Sequence, residues 1–278
     1  ENIVISPLAL TRSILNEGEK EFGATVIDLG GGQTTVAVMR GQELQYTNIY
    51  QEGGDYITKD ISKVLTTSQS IAENLKFNYG IAYPQQATEK EKFTVEVIGE
   101  SNPVEVTERY LSEVIAARLR QIFTRVKQDL ERTRALELPG GVVLVGGGAI
   151  LPGITELAQE ILGVNTKLYI PNQIGIRNPS FAHVIALVEY VGGLDDVEKI
   201  SQAAVNGEAD LRQKPIDIPV ASKRPSASPI VPKPVAVEPY SEEEVQADAP
   251  AYVNNTEAEE PKSNIGDRLR GFFGSMFE

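Results

Sequence analysis

Residues 24–40 of the 278-residue chain read ATVIDLGGGQTTVAVMR, and this stretch decides the fold class. Its apolar runs, Ala24 to Leu29 and Thr34 to Met39, predict two short strands, and the three glycines at 30–32 predict a hairpin turn between them. The turn would place the Asp28 carboxylate at a strand end and exposed backbone N–H groups directly after it. Such an arrangement suits a phosphate group with its magnesium ion, although an ordinary glycine hairpin has the same sequence.

Strands and helices alternate through the rest of residues 1–192, which is typical of an α/β fold. The long helix is the most regular element, because apolar residues recur at steps of three and four between the N-cap residue Thr107 and Pro139. The other expected elements are strands at 43–50, 93–98 and 142–145 and helices at 53–65, 70–79 and 154–162.

A second glycine loop and a charged pair are further candidates for a ligand site. Residues 142–150, VVLVGGGAI, combine a buried-type strand, three glycines and a helix start, which could accept a nucleoside or its phosphate. The Thr34 hydroxyl after the first loop can add a side-chain donor. Glu73 and Lys76 lie three residues apart on one helix face, where a surface ion pair is the ordinary interpretation. Each motif alone is weak evidence.

Composition excludes several classes of protein. The 26 Lys and Arg residues against 39 Asp and Glu give a net charge of -13, which disfavours general nucleic-acid binding. The chain has no cysteine and one histidine, so thiolate metal sites and imidazole clusters are excluded, and we assign His183 no role. No run of about 18 apolar residues is present, so no membrane-spanning segment is expected.

The composition changes near residue 193. Nine of the 16 prolines lie beyond it without any helical or strand period, and they predict a disordered, acidic linker over 193–261. The last segment, IGDRLRGFFGSMF at 265–277, has the geometry of a helix lying in a bilayer interface, although it could also dock on the protein's own core. The predicted membrane residues are Ile265, Arg268, Leu269, Arg270, Phe272, Phe273, Met276 and Phe277.

The long helix is rich in basic residues, whereas the chain as a whole is acidic. A solvated polar face is the ordinary interpretation for each residue, but as a group they predict a local basic surface suited to an acidic peptide. These residues are Arg109, Arg118, Arg120, Arg125, Lys127, Arg132 and Arg134.

The order and spacing of the motifs resemble the second half of an actin-like ATPase, which has a ribonuclease H-like fold. In that superfamily the first loop is the second phosphate-binding hairpin, and the last loop is the adenosine motif. The stretches GGDYITKDI (53–61), AENLKFNYG (72–80) and PGGVVL (139–144), with the C-terminal segment, resemble the FtsA family of bacterial cell-division proteins more closely.

This resemblance implies a domain organisation. Residues 1–20 would be a helix from the first large domain, 21–65 and 139–177 the core of the second, 66–138 an inserted smaller subdomain, 178–192 a helix returning to the first domain, 193–261 the linker and 262–278 the membrane-targeting helix. Because only 27 residues precede Asp28, we expect the chain to lack an N-terminal part and to hold half a nucleotide site. The helices at 1–20 and 178–192 should then expose apolar faces.

The resemblance also implies ATP and Mg²⁺ as cofactors, with Asp28 acting on the metal through water and serving any catalysis. The implied nucleotide-binding residues are Asp28, Gly30, Gly31, Gly32, Gln33, Thr34, Glu73, Lys76, Gly146, Gly147 and Gly148. Glu73 and Lys76 would contact the ribose and the adenine. The C-terminal tail of FtsZ, the tubulin-like ring protein, would bind at Arg118, Arg120 and Asn74.

The predicted function is that of a structural adaptor. It would be an actin-like ATP-binding protein that forms filaments on the cytoplasmic membrane at the division septum, tethers the FtsZ ring and contacts other division proteins. The alternative is another actin-like ATPase or a kinase, which would not need the C-terminal helix. The chain alone should be nearly inactive as an ATPase, because hydrolysis depends on groups from the other half of the fold.

Overall fold

The computed structural model describes residues 3–194 and 200–201. The helices in this part are α1 (Ser6–Ile14), α2 (Glu17–Phe22), α3 (Gly54–Leu65), α4 (Gln69–Tyr79), α5 (Glu108–Arg132), α6 (Ile154–Leu162) and α7 (Ala182–Gly192). The strands are β1 (Ala24–Leu29), β2 (Thr34–Arg40), β3 (Glu43–Tyr50), β4 (Lys92–Val95), β5 (Val104–Thr107), β6 (Val142–Val145) and β7 (Thr166–Leu168). The predicted membrane helix at 262–278 and nearly all of the predicted linker lie outside the described residues.

Five strands form one mixed sheet in the order β3-β2-β1-β6-β7. The β1–β2 and β2–β3 pairs are antiparallel hairpins, whereas β6 runs parallel to β1 and to β7. A parallel pair needs a long crossover connection, and here the connection between β1 and β6 also contains α3, α4, α5 and the small β4–β5 sheet. Both β1 and β6 are buried along their whole length, as their continuous apolar sequences predict.

Side chains on the two faces of the sheet enter two different cores. Ile27 and Leu144 belong to a core that continues into α3, α5 and α6. Val26 and Val143, the alternate residues of the same strands, belong to a second core with α1 and α7. Asp28 has the same parity as Val26, so its side chain lies on the α1 and α7 face.

The long helix α5 confirms the prediction made from its periodicity. Its apolar stripe, Leu111, Ile115, Leu119, Ile122, Val126 and Leu130, is buried throughout. The Thr107 side chain accepts a hydrogen bond from the Tyr110 backbone N–H, as expected of an N-cap residue.

The predicted strand at 93–98 is wrong in its bounds. The strand is Lys92–Val95, and its antiparallel partner Val104–Thr107 was not expected from the sequence. The Ile98 backbone N–H donates to the Thr66 carbonyl at 2.8 Å instead of continuing the ladder. A local pattern cannot reveal such a long-range bond, so the strand is predicted too long.

The helices near the two ends of the described part pack on each other. Leu10 and Ile14 of α1 lie in the same core as Ala182 and Ala186 of α7. The expectation that both helices expose apolar faces is therefore wrong for α1, whose apolar side is buried. For α7 it is confirmed, because Val184, Leu187, Val188 and Val191 remain exposed on its outer side. Within residues 3–194 and 200–201, no helix is both long and apolar enough to cross a bilayer.

The central core predicts a large penalty for removing its biggest side chain. Phe123 on α5 is completely buried, so Phe123→Ala should lower the free energy of unfolding by about 3–5 kcal/mol through lost burial and a residual cavity. Chemical denaturation of the purified chain measures this change. Phe22→Ala is the control, since Phe22 is 66% exposed on α2 and its truncation should cost less than about 0.5 kcal/mol. Equal losses in both variants would contradict the assigned core.

Candidate nucleotide site

Backbone hydrogen bonds from the start of α3 hold the first glycine loop, residues 30–32, in place. The Gly54 backbone N–H donates to the Gly30 carbonyl and the Asp55 N–H to the Gly31 carbonyl, each at 2.9 Å. Gly53 allows this approach, because a Cβ atom there would lie 2.5 Å from the Gly30 oxygen. Among the described residues, none accepts a hydrogen bond from the N–H groups of Gly31 and Gly32. The loop therefore presents two unpaired donors, as a phosphate site requires.

Asp28 is the next-to-last residue of β1, separated from this loop by Leu29, and its side chain is only 8% exposed. Burial raises the pKa of the Asp28 carboxyl, and the nearby His183 opposes this shift. The His183 Nδ1 atom lies 3.5 Å from Asp28 Oδ2, because α7 covers the sheet face to which Asp28 points. His183, to which the sequence assigned no role, thus contacts a predicted site residue across 155 positions of sequence, a distance that no local motif can bridge.

The second glycine loop meets the first at the same edge of the sheet. The strands β1 and β6 are parallel with Asp28 opposite Val145, so both loops follow the carboxyl ends of neighbouring strands. Gly146 has a φ of +94°, and a Cβ atom there would lie 2.6 Å from the Leu29 carbonyl oxygen and still closer to Asp28 Oδ1. Only glycine fits this crossing. The predicted turn at 146–148 continues into a 3-10 turn, Gly147–Ile150.

Glu73 and Lys76 form an ion pair, but it belongs to a larger network. The Lys76 ammonium lies 2.7 Å from Glu73 Oε2, and it donates to Thr58 Oγ1 at 2.7 Å and to the Gly54 carbonyl at 3.1 Å. The Thr58 hydroxyl also donates to Glu73. Partial burial acts to raise the pKa of Glu73, but the bonds from Lys76 and Thr58 outweigh it and hold that pKa below its usual value.

These elements enclose one cleft of about 490 Å³. Six predicted residues line it: Gly30, Gly31, Glu73, Lys76, Gly147 and Gly148. Asp28, Gly32, Gln33 and Gly146 are not part of the lining and stand beside it in the two loops. Thr34 differs from the expectation that its hydroxyl is a donor to the ligand. The hydroxyl is buried and donates to the Glu52 carbonyl at 2.7 Å.

Eight residues of the cleft lining were not predicted from the sequence: Gly54, Asp55, Ile57, Phe77, Gly80, Ile150, Leu151 and Pro152. Thr58, which contacts two lining residues, was not predicted either. Asp55 lines the cleft beside Gly31, and the GGD start of α3 was an available signal. Phe77 also lines the cleft, one residue after Lys76. Thr58 lies one turn after Gly54 and touches both predicted charges, but nothing in its local sequence indicates this position.

The predicted basic surface on α5 is largely neutralised, which corrects the expectation from composition. Arg118 donates two hydrogen bonds to Asp60, at 2.5 and 2.9 Å, and its side chain is only 14% exposed. Burial acts to lower the pKa of Arg118, but the Asp60 carboxylate outweighs it and raises that pKa. The remaining pairs are Arg109–Glu113, Arg120–Glu160, Arg125–Glu52, Lys127–Glu131 and Arg132–Asp129.

The three residues predicted for a peptide partner occupy different environments. Arg120 pairs with Glu160 at 3.2 Å, with 33% and 42% of the two side chains exposed. Asn74 is exposed on α4. No hydrogen bond or ion pair of the described part joins Asn74 to Arg118 or Arg120, so the structure does not bring them together as a network.

No group of three or more Asp, Glu or His side chains able to hold a metal ion occurs within residues 3–194 and 200–201. Two carboxylates lie near the first glycine loop: Asp28, two residues before Gly30, and Asp55, beside Gly31. A magnesium ion fits such a site only if it takes most of its ligands from water and from a bound phosphate.

Several solved structures share the fold of this chain. MreB5 of Spiroplasma citri bound to ADP superposes with a TM-score of 0.57 at 17% identity, over 73% of this chain and 61% of that one. A type IV pilus PilM–PilN complex gives 0.51 at 19% identity, over 70% and 53%. A MamK double helical filament gives 0.51 at 14% identity, over 68% and 59%. The fold is therefore actin-like.

Sequence comparisons give the family. The Cell division protein FtsA model matches residues 25–186, and the model Cell division protein FtsA, C-terminal, matches residues 197–278. The Streptococcus pneumoniae cell division protein FtsA is 56% identical over 100% of this chain, and that of Enterococcus hirae 48% over 99%. The chain spans 60% and 59% of the length of these two relatives. The chain belongs to the FtsA family of cell division proteins.

Proposed function

We propose that this chain carries the second half of an ATP-binding protein that forms filaments on the cytoplasmic membrane at the division septum and anchors the FtsZ ring there. The observation that carries the proposal is the cleft between the two glycine loops. The unpaired N–H groups of Gly31 and Gly32 and the Glu73–Lys76 pair meet there at one edge of the sheet.

The first loop would hold the phosphates of ATP and the second the nucleoside. Gly31 and Gly32 would donate to phosphate oxygens, and Asp28 would orient a water on the magnesium ion, which neutralises phosphate charge when bound. Glu73 has one carboxylate oxygen outside its bonds to Lys76 and Thr58, and this oxygen suits a ribose hydroxyl. Hydrolysis would also depend on closure between domains, so the cleft residues by themselves should give a rate near zero.

The FtsZ tail would bind on the α5 side of the inserted subdomain. Arg120 is the better anchor, since its half-exposed pair with Glu160 can exchange one carboxylate for another at little cost. Arg118 donates two hydrogen bonds to the buried Asp60 carboxylate, so it would hold α5 in position rather than leave Asp60 for a peptide. Asn74 would contribute a weaker, separate contact.

The C-terminal segment would place the protein on the membrane. Six apolar side chains at roughly 1 kcal/mol each and two arginines at about 1 kcal/mol each give a gross gain of about 8 kcal/mol, part of which is lost in ordering the segment. A single tail would therefore bind weakly and reversibly. Filaments would bind tightly through many tails, and other division proteins would assemble on them.

Nucleotide binding should depend on Lys76. In Lys76→Met the Glu73 carboxylate loses its cation, and the uncompensated negative charge would repel the phosphates of ATP. We therefore expect the thermal stabilisation of the chain by MgATP to disappear. Differential scanning fluorimetry with and without MgATP measures this shift. Lys92→Met removes an exposed ion pair with Glu105 away from the cleft and should leave the shift unchanged. An identical shift in both variants would exclude Lys76 from the site.

Binding of an acidic peptide should depend on Arg120. With a synthetic peptide of the FtsZ C-terminal tail, Arg120→Ala should weaken binding by about fivefold, which is the scale of one exposed ion pair. Fluorescence anisotropy of the labelled peptide reports the dissociation constant. Arg132→Ala is the matched control on the same helix, since Arg132 is 75% exposed and pairs with Asp129. A larger loss of peptide affinity in Arg132→Ala than in Arg120→Ala would show that the peptide binds another surface.

Membrane binding should depend on the C-terminal apolar residues. Phe272→Glu/Phe273→Glu should abolish co-sedimentation of the chain with anionic liposomes, because two charges would enter the apolar side of the helix. Higher salt should weaken wild-type pelleting by screening the arginines. Ser263→Glu/Asn264→Glu adds the same charge just before the apolar stretch at 265–277 and should still pellet. Wild-type chain that stays in the supernatant at low salt would refute the anchor.

A further inference from the structure

Thr58 is a buried residue at the centre of the charged network beside the cleft. It lies on α3, one turn after Gly54, and is only 6% exposed. Its hydroxyl accepts a hydrogen bond from Lys76 Nζ at 2.7 Å and donates one to Glu73 Oε2, while the Gly54 carbonyl at 3.2 Å is the more distant acceptor. An ammonium group can only donate and a carboxylate can only accept, so the direction of both bonds is fixed. Thr58 therefore links both charges of α4 to α3.

The bonds to the Glu73 carboxylate end on one of its two oxygens. Lys76 Nζ lies 2.7 Å from Oε2, the same atom that accepts from Thr58. The other oxygen, Oε1, accepts no hydrogen bond from the residues that the structure describes. The Glu73 side chain is 54% exposed and lines the cleft. The network thus holds the carboxylate by one oxygen and leaves the other as an acceptor for a ligand.

Lys76 is fully occupied by the same network. Its three N–H donors are matched by Glu73 Oε2, the Thr58 hydroxyl and the Gly54 carbonyl, at 2.7, 2.7 and 3.1 Å. Its side chain is only 13% exposed, whereas that of Glu73 is mostly open to the cleft. While these three bonds hold, Lys76 has no donor left for a ligand, and the group that the network offers is the free oxygen of Glu73.

We infer that Thr58 is a positioning residue, which holds Glu73 Oε1 ready for a sugar hydroxyl so that the cleft selects ribonucleotides over deoxyribonucleotides. The inference rests on the proposed function, in which Glu73 meets the ribose of ATP. A free glutamate side chain loses rotamer freedom when it binds a ligand, whereas a side chain already held by two bonds has lost it beforehand. A sugar hydroxyl therefore gains the full strength of a bond to the carboxylate, and an analogue without that hydroxyl does not.

The test compares MgATP with its 2′-deoxy and 3′-deoxy analogues on the 278-residue chain by isothermal titration calorimetry. The wild type should bind MgATP about tenfold more tightly than at least one analogue, which is the scale of one hydrogen bond to a charged group. Thr58→Val keeps the shape of the side chain but removes the hydroxyl, so it should reduce this preference to less than about threefold by weakening MgATP. Thr58→Ser keeps the hydroxyl and should restore the preference.

Two further variants separate positioning from a general loss of structure. Thr133→Val removes a hydroxyl that donates to the Leu130 carbonyl at the end of α5, away from the cleft, and should keep the wild-type preference. In a Glu73→Gln chain, adding Thr58→Val should not change the preference further, because Thr58 acts through Glu73. The other carboxylate of the cleft lining, Asp55, has no hydrogen bond to this network among the described residues, so a preference due to Asp55 would survive Thr58→Val.

The outcomes separate this inference from the proposed function. Equal binding of all three ligands by the wild type would overturn the positioning role and leave the nucleotide site intact. The same holds if the preference persists in Thr58→Val, or if this variant weakens MgATP and both analogues by the same factor. If circular dichroism shows that Thr58→Val is unfolded, Thr58→Ala gives the same comparison without a new methyl group. If the wild type binds none of the three ligands, the proposed nucleotide function fails, and this inference fails with it.

Discussion

The parallel pairing of β1 with β6 is the contact on which the candidate site depends. It sets Asp28 opposite Val145 and brings two loops, separated by more than a hundred residues of sequence, to one edge of the sheet. The pairing can continue to the strand ends only because Gly146 adopts a positive φ and has no Cβ to meet Asp28 and Leu29. A single side chain at this position would push the two loops apart.

The inserted helices extend this constraint to the rest of the cleft. The first N–H groups of α3 donate to the carbonyls of Gly30 and Gly31, while the N–H groups of Gly31 and Gly32 have no acceptor among the described residues. Thr58, one turn further, joins α3 to α4 through Glu73 and Lys76. The loop, α3 and α4 are therefore linked, and a shift of α3 would move both the unpaired N–H groups of the loop and the charged pair.

Much of this arrangement could be predicted from sequence, because it has local signals. The strands β1 and β6, the helix α5 and the six loop and helix residues that line the cleft follow from apolar periodicity, glycine clusters and the motif order of the resemblance. What escaped prediction depends on contacts across long sequence distances. The strand β5, the His183–Asp28 contact and the Arg118–Asp60 pair join residues whose own neighbourhoods look ordinary. The basic surface predicted on α5 was also wrong, because the sequence of one helix does not show that carboxylates from other elements pair with its arginines.

The paired cations show why burial must be weighed before a charged residue is assigned to a ligand. Arg118 and Arg120 are two positions apart, yet their pairs differ in burial. Arg118 donates two hydrogen bonds to buried Asp60, whereas Arg120 forms a partly exposed ion pair with Glu160. Removing Arg118 from Asp60 would leave an unpaired buried charge, which costs far more than an exposed contact gains. The Arg118–Asp60 pair instead ties α5 to α3, the helix that supports the first glycine loop. A ligand that competes for Arg120 would leave that tie intact, so the proposed peptide could bind α5 without disturbing the proposed nucleotide cleft.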